Sequence, residues 1–168
     1  MSTALPILLG VMALSTEVFL REALALDAWS PDLATAVILW LGCRRSWIQG
    51  AATAAAIGVL ADAFAGSPLG LHMLHALLLF YAAAALGNQV RFQGFVGNGM
   101  LGLVGGFVSL FLLVVIARVF LGDTLLAARV GDLIVPRVVV VTFVVPPVFA
   151  LLDRIDLVLS RRVEGDVL

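Results

Sequence analysis

No charged side chain occurs between positions 63 and 90 or between 92 and 117, and shorter charge-free runs cover 1–16, 33–43, 46–61 and 138–152. Few architectures accept such a chain. A bilayer core takes about 20 residues of helix, with roughly 17 to 25 usual, so the two longest runs suffice alone and the others must tolerate a charge near one end. Composition points the same way: 62% of residues are hydrophobic, 12% are charged, and the mean hydropathy is +1.15. A water-soluble chain of this kind would have too little polar surface to cover itself. The expectation is an all-α integral membrane protein, a compact bundle of about six transmembrane helices forming one domain over 1–152, with a polar C-terminal tail at 153–168.

The expected spans are 4–20, 31–42, 47–64, 69–86, 95–117 and 137–152. The second is the weakest, since it rises only about 18 Å against a hydrocarbon core of about 30 Å. It must borrow flanking residues, be sheltered by protein, or stop short of a full crossing. Trp40 and Trp47 bracket Arg44 and Arg45, which fits a turn at headgroup level. Residues 118–136 read as a mixed loop whose LLAARVGDLIV portion lies along the interface. Pro146 and Pro147 predict a kink in the last helix.

Gly50, Ala54, Gly58 and Asp62 recur every fourth residue. On a helix they form one narrow face that lacks bulk until its last member, a carboxylate, and a neighbouring helix can approach it closely. The segment from Gly66 to Gly70 then turns the chain back, with Ser67 as the expected N-cap and Pro68 as the first helical residue. Gly102 with Gly106, and Gly105 with Ser109, make further small-xxx-small pairs.

Several function classes fall away. The net charge of -1 comes from ten basic residues, all arginine, against eleven acids, and provides no basic field for nucleic acid. Cys43 is the only cysteine, which excludes an intramolecular disulfide and a multi-cysteine metal site. The chain carries no G-x-S-x-G elbow, P-loop or cysteine nucleophile motif. Glu17 and Glu22 fall on different helix faces and make no acid-base pair. Neither catalytic residues nor a cofactor is expected. The N-terminus lacks a basic n-region and a clear cleavage site, so the first segment is expected to remain as an anchor.

Asp62 has three readings: it binds a solute or ion, bonds to a partner, or satisfies backbone donors at the hairpin tip. His72 and His75 share a helix face just after the turn. Two histidines and a carboxylate formally suffice for a metal facial triad, but no ordered motif spacing accompanies them. Hydrogen-bonded histidines at a helix start, with no metal, are the expectation.

Arginine distribution orients the chain. With six spans and the N-terminus inside, the inner segments hold Arg44, Arg45, Arg91, Arg154, Arg161 and Arg162, and the outer links hold Arg21, Arg118, Arg129 and Arg137. Both termini are therefore expected in the cytoplasm, with the hairpin tip outside.

Pro31-Asp32 before a short second segment, the run GVLADAFAGSPLGLH from Gly58 to His72, and a proline-containing last helix together resemble the bacterial rod shape-determining MreD family. The family pattern G-x-L-x-D-x-x-x-G-x-x-x-G matches Gly58, Leu60, Asp62, Gly66 and Gly70, whereas the family's Arg-Pro-Asp is Ser30-Pro31-Asp32 here and loses the arginine. The resemblance implies a non-enzymatic inner-membrane component of the cell elongation machinery, with a fold like that of the S components of vitamin transporters. It further implies pairing with an MreC-like bitopic protein and, through it, with actin-like MreB and the cell-wall synthases, supporting rod shape and peptidoglycan synthesis. The alternative is a small-solute-binding subunit of a membrane transporter.

Overall fold

A computed structural model describes residues 10–12, 15–16, 32–65, 70–89, 94–121 and 124–165. Pro31 and Gly66, and most of the expected first span, lie outside the described residues. Among the described residues the longer elements are α1 (Leu33–Arg44), α2 (Trp47–Ala65), α3 (Leu71–Gln89), α4 (Gly94–Ile116), a π-helical turn (Ala117–Leu121) and α5 (Thr124–Gly165). Three stretches are long and apolar enough to cross a membrane: Trp47–Ala65, Gly94–Phe120 and Val135–Val158. Leu33–Arg44 and Leu71–Gly87 are shorter apolar helices.

The short helix is the centre of the bundle. Every residue from Thr35 to Gly42 is buried, and α1 packs against α2, α3, α4 and α5. A helix that is apolar all round belongs in such a place. Shelter by protein, one of the three expectations for so short a helix, agrees with this burial. A Cβ on Gly42 would meet Ala83 Cβ at 2.6 Å and Phe80 O at 2.9 Å, so α1 and α3 cross in near-backbone contact. On the far side of α2, a Cβ on Gly10 would meet Ile57 Cγ1 at 2.5 Å, which places that part of the first segment against α2.

The last helix departs most from the sequence reading. The expected loop at 118–136 is instead a π-helical turn followed by helix, and α5 runs on through Pro136, Pro146 and Pro147 to Gly165. Its 42 residues rise about 63 Å, so it extends beyond its apolar stretch at both ends. Helix persists through proline here because, in an apolar medium, one lost backbone bond costs less than freeing a whole segment. Beyond Leu152 the helix continues because Asp153 and Asp156, three residues apart on one face, are held by Trp40, Arg44 and Arg45.

Candidate functional site

All four members of the small-residue stripe on α2, Gly50, Ala54, Gly58 and Asp62, are buried. A Cβ on Gly58 would land on Met73 Cα and lie 2.8 Å from His72 O, so the α2 and α3 backbones touch just inside the hairpin tip. One turn later the Asp62 side chain, fully buried, reaches the start of α3. Its Oδ2 accepts the Gly70 N–H at 2.8 Å and the Met73 N–H at 3.4 Å, and its Oδ1 accepts the His72 N–H at 2.8 Å. These are donors that a helix start leaves without intrahelical partners, and a carboxylate there also complements the positive end of the helix dipole.

The cap of α3 is therefore supplied from another helix. Gly70 holds the N-cap position, its carbonyl accepting the Leu74 N–H at 2.9 Å. Its φ of 101° lies in the left-handed region that glycine adopts without penalty. The expected cap and first helical residue, Ser67 and Pro68, lie outside the described residues, and the described helix begins only at Leu71.

The two histidines part company. His72 Nδ1 lies 3.0 Å from Asp62 Oδ1, and since a carboxylate only accepts, the ring donates from Nδ1. His75 turns into the bundle and is buried; its Nε2 donates to the Ser109 carbonyl at 3.0 Å. Asp62, His72 and His75 thus do not converge on one point. Among the described residues no group of three or more His, Cys, Asp or Glu side chains is placed to hold a metal ion.

His75 belongs to a second cluster at the same end of the bundle. Ser109 Oγ lies 3.2 Å from His75 Nε2 and 3.4 Å from Thr35 Oγ1. Thr35 gives its backbone N–H to Asp32 Oδ1 at 3.0 Å, and Asp32 Oδ2 accepts from Arg137 Nη2 at 2.6 Å. Asp32 is the N-cap of α1, a role for which aspartate is among the preferred residues. The chain of contacts ties α1, α3, α4 and α5 together.

Ser109 and His75 do not form a nucleophile and its base. A carbonyl can only accept, so the proton sits on the same Nε2 that would have to take one from the serine. Ser109 is also completely buried.

The opposite end of α1 carries a third set of polar contacts. Trp40 Nε1 donates to Asp153 Oδ1 at 2.8 Å and Arg44 Nη2 to Asp153 Oδ2 at 3.2 Å. Arg45 Nη2 donates to Asp156 Oδ1 at 2.6 Å, and its guanidinium lies over the Trp40 ring, 5.1 Å from the centroid. The arginines of the α1–α2 turn thus meet acids of the C-terminal helix.

Gly102 and Gly106 face inward. A Cβ on Gly102 would stand 3.0 Å from both Thr142 Cα and Val141 O, and one on Gly106 would stand 3.4 Å from Val138 Cα. Both glycines set the approach of α4 to α5. Of the residues singled out in the sequence, Asp62, Gly70 and His72 meet at the hairpin tip and Gly58 lies one turn below. Asp32 and His75 share the second cluster, whose remaining members, Thr35, Ser109 and Arg137, were not marked as site residues. The available signal was modest: Ser109 is the lone hydroxyl in a long apolar run, and Arg137 opens the last one. The chain matches no protein-family model, no curated protein and no solved structure.

Proposed function

We propose that this chain is a non-enzymatic scaffold of the bacterial inner membrane, similar to MreD, that supports rod shape and peptidoglycan synthesis through an MreC-like membrane partner. The observation that carries the reading is the fate of Asp62. The carboxylate of the family-like motif is buried and engaged with the first turn of α3, so Gly58, Asp62 and Gly70 fasten the end of α2 to the start of α3. In this reading the bundle crosses the membrane six times with both termini in the cytoplasm, and the Asp62 tip faces outward.

Crosslinking in native membranes, followed by identification of the captured proteins, tests it. Capture of an MreC-like bitopic protein supports the scaffold, and its absence at normal membrane abundance overturns it.

A second reading, a solute-binding subunit resembling the S components of vitamin transporters, draws on the cluster of Asp32, Thr35, His75, Ser109 and Arg137 inside the bundle. Buried polar groups at membrane depth are the kind of lining such a subunit needs. Solute uptake by vesicles that is lost in a Ser109→Ala variant with all protein partners retained would favour it.

A further inference from the structure

We propose that the junction around His75 is a proton-operated latch, closed while the imidazole is neutral and released when it takes up a proton. In the closed state Nε2–H donates to the Ser109 carbonyl, and the junction holds one anion, Asp32, and one cation, Arg137, in contact. Its charge is balanced.

Protonation breaks that balance, and no described carboxylate stands ready to restore it. From α1 the junction is faced by Asp32, whose two oxygens already accept from Thr35 and Arg137. From α2 the nearest acid is Asp62, engaged with the start of α3 and with His72. The same helix as His75 contributes His72, α5 contributes Arg137, and α4 has no ionisable side chain. A charged His75 is therefore a second cation beside Arg137, with a single carboxylate between them. The charged ring also gains an Nδ1–H donor, and no described residue accepts a hydrogen bond from that nitrogen.

A second buried cation that must share one carboxylate with Arg137 is destabilising unless the site admits water. The side chain best placed to yield is Ser109, because its carbonyl and hydroxyl hold His75 by hydrogen bonds and no ion pair is lost when it moves. Release therefore separates α4 from α1 and α3 at this end of the bundle. Histidine is the side chain whose ordinary titration lies nearest neutrality, so His75 is the group of this junction that falling pH charges first.

Amide hydrogen exchange on the detergent-solubilised full chain tests this at about pH 8 and about pH 5, after correction for intrinsic exchange. In the parent, protection of the α4 segment around Ser109 and the first turn of α1 should fall by about tenfold or more at the lower pH, while the α2–α3 contact at Gly58 keeps its protection. His75→Gln, whose amide N–H can still donate to the Ser109 carbonyl, should abolish the difference, and His72→Gln should retain it. Equal protection of the parent at both pH values, or the same loss in His75→Gln as in the parent, overturns the latch. Should His75→Gln fail to fold, the parent decides alone: loss confined to the junction supports the latch, and loss spread evenly over all helices, or none, overturns it.

Discussion

Asp32 and Arg137, 105 positions apart in the chain, meet through a 2.6 Å contact between a buried carboxylate and a half-buried guanidinium. The pair fastens the first turn of the central helix α1 to α5 directly after Pro136. Because Asp32 also caps α1, one side chain fixes both where that helix begins and what it stands against. A short helix that cannot span the hydrocarbon core alone is held in register by its cap.

Asp32→Asn isolates the ionic part of this arrangement, since asparagine caps a helix about as well as aspartate. Removing one partner of a fully buried ion pair costs about 3–5 kcal/mol; Arg137 is 31% exposed, and solvent screening lowers the expectation here to roughly 1–2 kcal/mol. Arg137→Gln should cost a similar amount. The double variant should be less destabilised than the sum of the singles, as measured by thermal unfolding in detergent. Strict additivity would show that the two side chains do not couple.

Glycine substitutions should rank by what a new Cβ meets. Gly58→Ala drives a methyl into the α3 backbone, Gly102→Ala meets the α5 backbone at 3.0 Å, and Gly99→Ala reaches nothing nearer than Pro146 Cγ at 4.0 Å. Overpacking costs typically about 1–3 kcal/mol, so the first two should be destabilised by amounts in that range, Gly58 more than Gly102, and the third left near the parent. Leucine at Gly58 or Gly102 should be worse than alanine despite its higher hydropathy. Unfolding midpoints in one detergent check the order, and a Gly99→Ala variant weaker than Gly58→Ala would contradict the packing.

Asp62 separates folding from partnership. Asp62→Asn keeps one acceptor oxygen, enough for the N–H of Gly70 or of His72 but not both, and should cost about 1–2 kcal/mol, whereas Asp62→Leu leaves both donors unpaired and should cost roughly 3 kcal/mol or more. Copurification of the MreC-like partner at matched membrane abundance then tells whether the tip does more than hold the hairpin. Full recovery with Asp62→Asn assigns the residue to the fold.

The α2 stripe was readable because a four-residue repeat of Gly50, Ala54, Gly58 and Asp62 is a local signal that helix geometry converts directly into a face. The carboxylate at its end was readable as important, yet choosing among its three candidate roles requires knowing which N–H groups of the next helix it meets, and those of Gly70 and His72 are fixed only by the fold. The junction of Thr35, His75 and Ser109 has no such periodicity: its bonds join positions 74 and 34 apart, and each member alone resembles an ordinary polar residue in an apolar helix. The extent of α5 was hidden for a related reason. Pro136 and Asp153 look like terminators when neighbours in space are unknown, but the proline lies within a helix held by apolar surroundings, and the aspartate is met by Trp40 and Arg44.

The C-terminal continuation of α5 should be held by charge. Arg45 and Asp156 have side chains 13% and 35% exposed, so the pair is screened on one side, and Asp156→Ala should destabilise the whole bundle by only about 1 kcal/mol. Its larger effect is local: with Asp156 gone, the extension loses one of the two carboxylates that tie it to α1, and limited proteolysis after Arg154 or beyond should become faster. Asp156→Arg should accelerate cleavage further by placing two guanidinium groups together, and Arg45→Asp in the same chain should slow it again by restoring an opposite-charge pair in reversed order. If the double reversal is cut as fast as Asp156→Arg, the extension is held by the Trp40 and Arg44 contacts to Asp153 alone.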